Sequence, residues 1–313
     1  MSDRDDVTLV PPVDVMRPRA VSEVPVENGL PGGVQYSVKL DGFRCVAFGG
    51  GGGGPGGAVF LQSRSGRNMA LEFPDIAAAV AGLPAGLVLD GEVCAWVNGA
   101  FSFVQLMRPH AARVADGVAV SYVAFDVLAL PGQDVRELPL AQRWQLLGAA
   151  LEGVNPQVQA VMATTDRDRA LLWYETLVAS GVEGLVCKAL ASRYRPRDSK
   201  AWVKVRHSDT HDAAVIGYTG SAERPRALVL VLAGDDDTPV VSSPLAPDVR
   251  VQARELLAGG AGVSDGGGEG RIVAIGIGEV AYRRVGAGVM AEVQQFVGRH
   301  ATTVVRRLRF EGR

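Results

Sequence analysis

The fold is decided by one stretch, Tyr36-Ser37-Val38-Lys39-Leu40-Asp41-Gly42-Phe43-Arg44, which sets a lysine in an apolar, strand-like run. A buried ammonium costs free energy unless it is paired or its pKa is lowered. An amine held partly neutral can attack a phosphorus or carbonyl centre and form a covalent intermediate. The turn signal Asp41-Gly42 predicts that the chain doubles back and sets Arg44 beside Lys39, where it could grip phosphate or ribose oxygens. A plain β-hairpin with a surface lysine is the alternative.

Composition limits the class of protein. The 313 residues are 47% hydrophobic and 21% charged, which is sufficient for packed cores in one large domain or two smaller ones. No apolar run reaches membrane-spanning length, and the N-terminus is acidic where a signal peptide would be basic. The three cysteines are far apart, which argues against a disulfide framework or a zinc site. We therefore expect a cytoplasmic protein with no membrane segment.

The overall charge gives no signature of a nucleic-acid binder. Net charge is −2 and the pI is about 6.1, yet contact with phosphates needs only a local basic face. Basic residues concentrate in residues 193–207 and again at the C-terminus, whereas Asp235-Asp236-Asp237 is acidic. This segregation is a weak indication of a one-sided nucleic-acid surface.

The chain divides into two parts by pattern. Short β-type runs occupy residues 34–38, 44–48, 58–63, 87–96 and 118–128, and helical patterns occupy 140–151 and 166–179. Beyond His207 the β-type runs alternate with Gly-rich loops. We therefore predict an α+β domain over residues 1–209, and over 210–313 a small all-β barrel of about five strands, the size of an OB-fold.

Further unusual residues follow Lys39 in order. An apolar run contains Glu92, Phe125 precedes an acid in a strand, and Glu183 lies between glycines where backbone can approach a ligand closely. Strand alternation puts Lys204 and Arg206 on one side, and Arg64 is a further candidate cation. Each residue alone has an ordinary structural explanation. Together they supply a nucleophile, carboxylates for a divalent metal, an aromatic ring on which a nucleotide base can stack, and cations for phosphates.

These segments resemble the ordered motifs of the covalent nucleotidyltransferase superfamily, which includes ATP-dependent DNA ligases, RNA ligases and mRNA-capping enzymes. Within it they are most similar to minimal bacterial ATP-dependent DNA ligases, and the similarity covers roughly residues 10–218. The resemblance implies a nucleotidyltransferase (adenylation) domain of packed antiparallel sheets with flanking helices, followed by a small all-β OB-fold domain.

Matching positions imply roles for the candidate residues. Lys39 would be adenylylated by ATP, and Arg44 would bind the ribose and the terminal phosphate of a DNA nick. Glu92 and Glu183 would sit at the ribose and at a Mg²⁺ ion, and Phe125 would stack on adenine.

The other basic positions would contact the nucleotide. Lys204 would meet the α-phosphate, and the resemblance makes it catalytic together with Lys39 and Glu183. The remaining nucleotide-binding candidates are Arg64, Lys188 and Arg206.

Three positions depart from the family pattern. Ser37 stands where glutamate is usual, and Arg206 replaces a lysine, which keeps the charge but not the compact head. The usual Arg-x-Asp-Lys motif at the C-terminus, which helps to orient pyrophosphate, is only hinted at by Arg309, Glu311 and Arg313.

The resemblance therefore implies an ATP-dependent DNA ligase that seals nicks, with ATP and Mg²⁺ as cofactors. Nicked duplex DNA would be the partner, the protein would act as a monomer, and DNA repair, recombination or replication would be its setting. An RNA ligase or capping-type nucleotidyltransferase shares the lysine chemistry and stays an alternative. A degenerate, non-catalytic nucleic-acid-binding protein is the third possibility.

Overall fold

The computed structural model describes residues 9–51, 59–198, 200–232, 239–258, 268–274, 278–286, 288–296 and 302–310. Their contacts divide the chain into two compact units, with the division between Arg206 and His207. None of the helices in this part of the chain has the length and apolar character needed to cross a bilayer.

The first unit contains twelve strands, five α-helices and one 3-10 helix (Gly49–Gly51) within its described residues. The strands are β1 (Arg19–Ala20), β2 (Val34–Lys39), β3 (Phe43–Phe48), β4 (Phe60–Ser63), β5 (Val88–Val97), β6 (Ala100–Phe101), β7 (Ala119–Leu130), β8 (Gln133–Asp134), β9 (Val158–Ala160), β10 (Ala163–Thr164), β11 (Gly184–Ala189) and β12 (Trp202–Arg206). The helices are α1 (Pro74–Ala81), α2 (Phe103–Leu106), α3 (His110–Ala115), α4 (Leu140–Ala150) and α5 (Arg167–Thr176).

These strands form two sheets that are antiparallel except at two edges. The first sheet has the order β1-β12-β11-β2-β10, and the second has the order β4-β3-β5-β7-β8, with β6 on β5 and β9 on β7. Only β1 with β12 and β7 with β9 pair in parallel. Each β-type run predicted in this unit contains a strand, so the predicted mixture of sheets and helices is confirmed.

Both longer helices lie where their sequence patterns predict them. Asp166 caps α5, since its side chain accepts a hydrogen bond from the Arg169 amide over 3.0 Å. Helix α4 begins after Pro139 and buries Leu140 and Leu147. In β2, alternation buries Val34, Tyr36 and Val38 in apolar clusters, which leaves Lys39 on the opposite side of the strand.

The predicted return of the chain at Asp41-Gly42 is wrong. The strands on either side of it, β2 and β3, do not pair, because β2 belongs to the first sheet and β3 to the second. The chain crosses between the sheets while packed on β5. A Cβ at Gly42 would lie 2.3 Å from the Val93 carbonyl oxygen and 2.7 Å from Glu92 Cγ. Gly42 is therefore required by this close contact and not by a hairpin turn.

The second unit has one sheet and one helix within its described residues. The strands are β13 (Ser208–Gly220), β14 (Pro225–Leu232), β15 (Val240–Val241), β16 (Glu269–Ala274), β17 (Gly278–Arg284), β18 (Val289–Phe296) and β19 (Thr302–Phe310), and the helix is α6 (Pro247–Ala258). The sheet order is β15-β14-β13-β17-β16, and β18 joins β13 to β19. Leu230, Val249 and Ala291 lie in its core.

Candidate active site

Lys39 and Glu183 meet at one end of the first sheet. Lys39 is the last residue of β2, and Glu183 directly precedes β11. The Glu183 amide donates to the Lys39 carbonyl over 2.9 Å, and Lys39 Nζ forms an ion pair with Glu183 Oε2. Their side chains are 16% and 4% exposed. The ammonium is therefore held by a carboxylate, with little contact with bulk water.

The glycine beside Glu183 serves strand packing. Gly184 has a φ of +143°, and a Cβ there would lie 2.0 Å from the Val205 carbonyl oxygen of β12. The backbone of β12 therefore fills the space that a side chain at residue 184 would need. The expectation that the glycines beside Glu183 let the backbone approach a ligand closely stays a prediction. The close approach of the strands leaves Arg206 Nε 3.9 Å from Glu183 Oε2.

Three more cations lie around this ion pair. The pKa of Lys204 is lowered by burial first and then by the charges of Arg206 and Lys39, and Arg64 adds to the effect from the exposed turn after β4. Glu183 acts in the opposite direction. Strand pairing gives the same arrangement, since β12 sets Arg206 opposite Gly184 and Lys204 opposite Val186 of β11. We call this set the open cluster; it consists of Lys39, Arg64, Glu183, Lys204 and Arg206.

Glu92 approaches the open cluster from the second sheet. It lies on β5 directly opposite Arg44 of β3. Burial raises the pKa of Glu92 to about 7, while the charges of Arg44 and Lys39 act to lower it. A carboxyl with this pKa takes up and releases a proton near neutral pH, and a bound cation would keep it ionised.

Arg44 is held by residues that the sequence argument did not identify. Its Nε and Nη2 donate to Asp90 Oδ1 and Oδ2 over 2.7 and 2.6 Å, and the Tyr194 hydroxyl donates to Asp90 Oδ2 over 2.5 Å. The Arg44 guanidinium also lies 4.8 Å from the Phe125 ring centroid. Burial acts to lower the pKa of Arg44, but the charge and hydrogen bond of Asp90, together with Tyr194 and Glu92, outweigh it, and the pKa is raised.

Phe125 lies at a β-bulge on β7. Asp90 of β5 pairs with Asp126, and the next residue, Gly91, pairs with Ala124, so Phe125 has no partner on β5. Bulges turn a side chain away from regular alternation. The half-buried Phe125 ring also meets the Trp202 ring edge-on at 6.1 Å between centroids.

Lys188 is fully buried and lies beside Phe125. Its Nζ donates to the Phe125 carbonyl oxygen over 2.7 Å, and it lies 4.1 Å from the Trp202 ring centroid. Only 1% of Lys188 is exposed. Its ammonium therefore contacts protein groups, unlike the partly exposed cations of the open cluster.

A second buried ion pair lies close to Lys188. Arg143 of α4 donates from Nε and Nη2 to the two oxygens of Asp126 over 2.8 and 3.0 Å, and both side chains are 0% exposed. In the sequence, the signal for such a buried pair is a single aspartate inside an apolar strand run. Asp90 and Asp126 both stand in such a run. We call the following set the buried cluster: Arg44, Asp90, Asp126, Arg143 and Lys188.

The C-terminal arginine motif is described only in part. Arg309 lies on β19, where it pairs with Glu292 and lies 3.6 Å from Asp212, all within the second unit. Glu311 and Arg313 lie outside the described residues.

The carboxylates of the site suit a metal that shares its ligands with a substrate. Within the described residues, no three or more His, Cys, Asp or Glu side chains are grouped to hold an ion by themselves. Mg²⁺ is commonly bound through one or two carboxylates, water and substrate phosphates. Glu92 and Glu183 both lie near Lys39, since its charge acts on Glu92 and its ammonium pairs with Glu183. These two carboxylates could hold such an ion together with a substrate.

Comparison with known proteins agrees with this arrangement. The family model of the ATP dependent DNA ligase domain matches residues 21–206. DNA ligase C2 of Mycolicibacterium smegmatis is 34% identical over 241 residues, which are 74% of this chain and 65% of that protein. DNA ligase C of Mycobacterium tuberculosis is 32% identical over 221 residues, or 67% of this chain and 58% of that protein. The chain thus spans less than two thirds of the length of these relatives.

Solved structures share the fold. The ligase domain of M. tuberculosis LigD superposes with a TM-score of 0.53 at 21% identity, over 94% of this chain and 95% of that one. A structure from a study of Lig E DNA ligases superposes with a TM-score of 0.57 at 14% identity, over 94% of this chain and all of that one. Because the family model covers more than half of the chain, the protein belongs to the family of ATP-dependent DNA ligase domains.

Proposed function

We propose that this protein is an ATP-dependent DNA ligase that seals nicks in duplex DNA through a lysyl-AMP intermediate on Lys39. The observation that carries the proposal is the ion pair of Lys39 with Glu183 among the cations of the open cluster. Family membership supports the same chemistry. The RNA ligase and capping alternatives are not favoured, because the matching family is that of DNA ligases.

In the first step, the deprotonated Nζ of Lys39 attacks the α-phosphorus of ATP in line. An N–P bond forms, and the bond from phosphorus to the pyrophosphate oxygen breaks. Glu183 orients Nζ for this attack through its ion pair with Lys39. Lys204 and Arg206 offset the charge of the phosphates, so that the protein acts mainly by positioning and electrostatics.

In the later steps, AMP passes from Lys39 to the 5′-phosphate of the nick, and the 3′-hydroxyl then displaces AMP. Arg44 binds the ribose and the terminal phosphate of the nick, and Phe125 stacks on adenine. Arg64 contributes a further cation to the nucleotide. Base stacking on an aromatic side chain contributes about 1–3 kcal/mol.

Glu92 and Glu183 would hold Mg²⁺ together with the phosphates of ATP. When bound, the ion offsets the negative charge that develops on the transferred group. The raised pKa of Glu92 supports this assignment, because a nearby cation would stabilise the ionised carboxylate in its half-buried position.

The second unit is proposed as an OB-fold domain. The boundary predicted from the sequence, between residues 209 and 210, lies within β13 and three residues after the division between Arg206 and His207, and we propose that the domain begins at residue 207. Its content of β-strands supports the proposal. We propose that the protein acts as a monomer on nicked DNA in repair, recombination or replication. Arg309 is the described member of the weak C-terminal motif that would orient pyrophosphate.

Incubation with α-labelled ATP and Mg²⁺, followed by denaturing electrophoresis, tests the proposal. The protein should acquire a covalent label that is lost on addition of pyrophosphate, and the labelled form should then seal a nicked duplex without further ATP. Labelling from GTP in preference to ATP would instead indicate a capping-type enzyme. A protein that takes no label from either nucleotide would contradict the proposed chemistry.

A further inference from the structure

The ammonium of Lys188 is bound to the backbone of Phe125. Lys188 Nζ donates to the Phe125 carbonyl oxygen over 2.7 Å and lies 4.6 Å from the centroid of the same ring. Hydrogen bonds from a charged donor are shorter and stronger than neutral ones. One buried side chain thus contacts both the backbone and the ring of Phe125.

Phe125 needs such a restraint, because the bulge removes it from the ladder between β7 and β5. Its neighbours Ala124 and Asp126 pair with Gly91 and Asp90, whereas Phe125 has no partner on β5. An unpaired bulge residue has more freedom to change its backbone angles than a residue in a regular ladder. Any such change would redirect the ring.

The charges around Lys188 are fixed by the rest of the buried cluster. Burial lowers the pKa of Lys188 to about 8, while Asp126 and Asp90 act to raise it. Each of these aspartates is held by both of its oxygens, Asp126 by Arg143 and Asp90 by Arg44. Because the carboxylates are fixed, they hold the ammonium in place beneath the bulge.

We propose that Lys188 is a positioning residue, which fixes the bulge at Phe125 so that the ring is presented to the base of the nucleotide. This inference rests on the proposed function, in which Phe125 stacks on adenine. Lys188 then contributes to the binding of the base through Phe125, without contacting the phosphates. The ion pair of Arg143 with Asp126 links α4 to the strand position next to Phe125 and so helps to hold the ring.

Two variants and their combination test the proposal. Lys188→Met removes the donor and the charge at similar length, and Phe125→Ala removes the ring. Lys200→Met is the matched control, because Lys200 is an exposed lysine of the same unit. Self-adenylylation is measured against ATP concentration for each variant and for the double variant, and inorganic tripolyphosphate serves as a competitor that has no base.

Lys188→Met should raise KM for ATP about tenfold, within the range expected when base stacking is lost, and should change kcat less than about twofold. The inhibition constant of tripolyphosphate should stay the same, because the phosphate-binding cations are intact. The double variant should have the KM of Phe125→Ala alone, since Lys188 acts through Phe125. Lys200→Met should behave as the original protein does.

Three results would overturn the proposal: an unchanged KM in Lys188→Met, equal weakening of ATP and tripolyphosphate, or KM effects that multiply in the double variant. If Lys188→Met does not fold, Lys188→Arg takes its place in the same double-variant cycle, with the same expected non-additivity. Absence of labelling in the original protein would refute the proposed function itself, and so the two failures are distinguishable.

Discussion

The open cluster and the buried cluster lie in the same unit and use the same kinds of residue, but they pair their charges differently. In the open cluster one oxygen, Glu183 Oε2, pairs with Lys39 and lies 3.9 Å from Arg206, and both cations are partly exposed. In the buried cluster Arg143 and Asp126 are 0% exposed and joined by two hydrogen bonds. The first arrangement leaves cationic groups available to a ligand, and the second satisfies them. Arg44 lies between the two cases, because it pairs with Asp90 but its side chain is 17% exposed and can still meet a ligand.

This difference separates residues that act on a substrate from residues that hold the site in shape. A fully paired, buried ion pair can rarely be rearranged without a large cost, whereas partly exposed cations can exchange water for phosphate oxygens. We therefore expect substitutions in the open cluster to affect chemistry more than stability. Substitutions in the buried cluster should do the reverse.

The largest effect is expected at Lys39. Lys39→Arg keeps a cation beside Glu183, but a guanidinium does not lose its proton and cannot act as the nucleophile. Self-adenylylation from α-labelled ATP should be abolished, while the thermal unfolding midpoint should change by only a few degrees. Sealing of a nick that already carries AMP should survive in part, because it does not need the amine. Covalent label on Lys39→Arg would contradict the assignment of the nucleophile.

The next effect is expected at Glu183. Glu183→Gln keeps the shape but removes the charge that orients Lys39, and self-adenylylation should slow by about 10²–10³-fold, as expected for loss of one preorganised electrostatic group. Glu175→Gln provides the control, since Glu175 is an exposed glutamate on α5. Single-turnover rates at saturating ATP and Mg²⁺ give the measurement. Near-normal rates of self-adenylylation for Glu183→Gln would show that Glu183 has only a structural role.

Stability should respond most strongly in the buried cluster. Arg143→Met leaves Asp126 as a buried, unpaired carboxylate, and removal of one partner of a buried pair costs about 3–5 kcal/mol. Arg307→Gln breaks an exposed pair with Glu292 in the second unit and should cost about 0–1 kcal/mol. Urea unfolding of both variants gives the comparison. Equal losses would mean that burial does not distinguish the two kinds of pair.

The open cluster could be predicted from the sequence because its signals are local. Alternation along β12 separates Lys204 and Arg206 from buried valines, and a lysine at the end of an apolar run is visible by inspection. The signal at Asp41-Gly42 was misleading for the same reason. A turn dipeptide describes a local change of direction, but it does not say whether the next strand joins the same sheet or another one.

Arg44 and Lys188 were named from the sequence, but the ion pairs of the buried cluster were missed because the partners are distant in the sequence. Asp126 and Arg143 lie on a strand and a helix, and Arg44 and Asp90 lie on different strands. Such pairs are set by sheet register and helix packing, which no local pattern specifies. The bulge at Phe125 is likewise a property of register between two strands. An aspartate within an apolar strand run is the one sequence signal that could have pointed to these pairs.

The smallest effect concerns the pH dependence of stability at Lys188. Burial lowers its pKa from 10.5 in the unfolded chain to about 8 in the folded protein. Between these two values the unfolded chain binds more protons, so this residue makes the folded state more stable as the pH rises from about 8 towards 10.5. The free energy of unfolding of the original protein, minus that of Lys188→Met, should therefore increase by about 1–2 kcal/mol between pH 8 and 9.5. Titrations at other sites cancel in this difference. If the difference in the free energy of unfolding stays constant with pH, Lys188 keeps its proton and the buried aspartates compensate its charge fully.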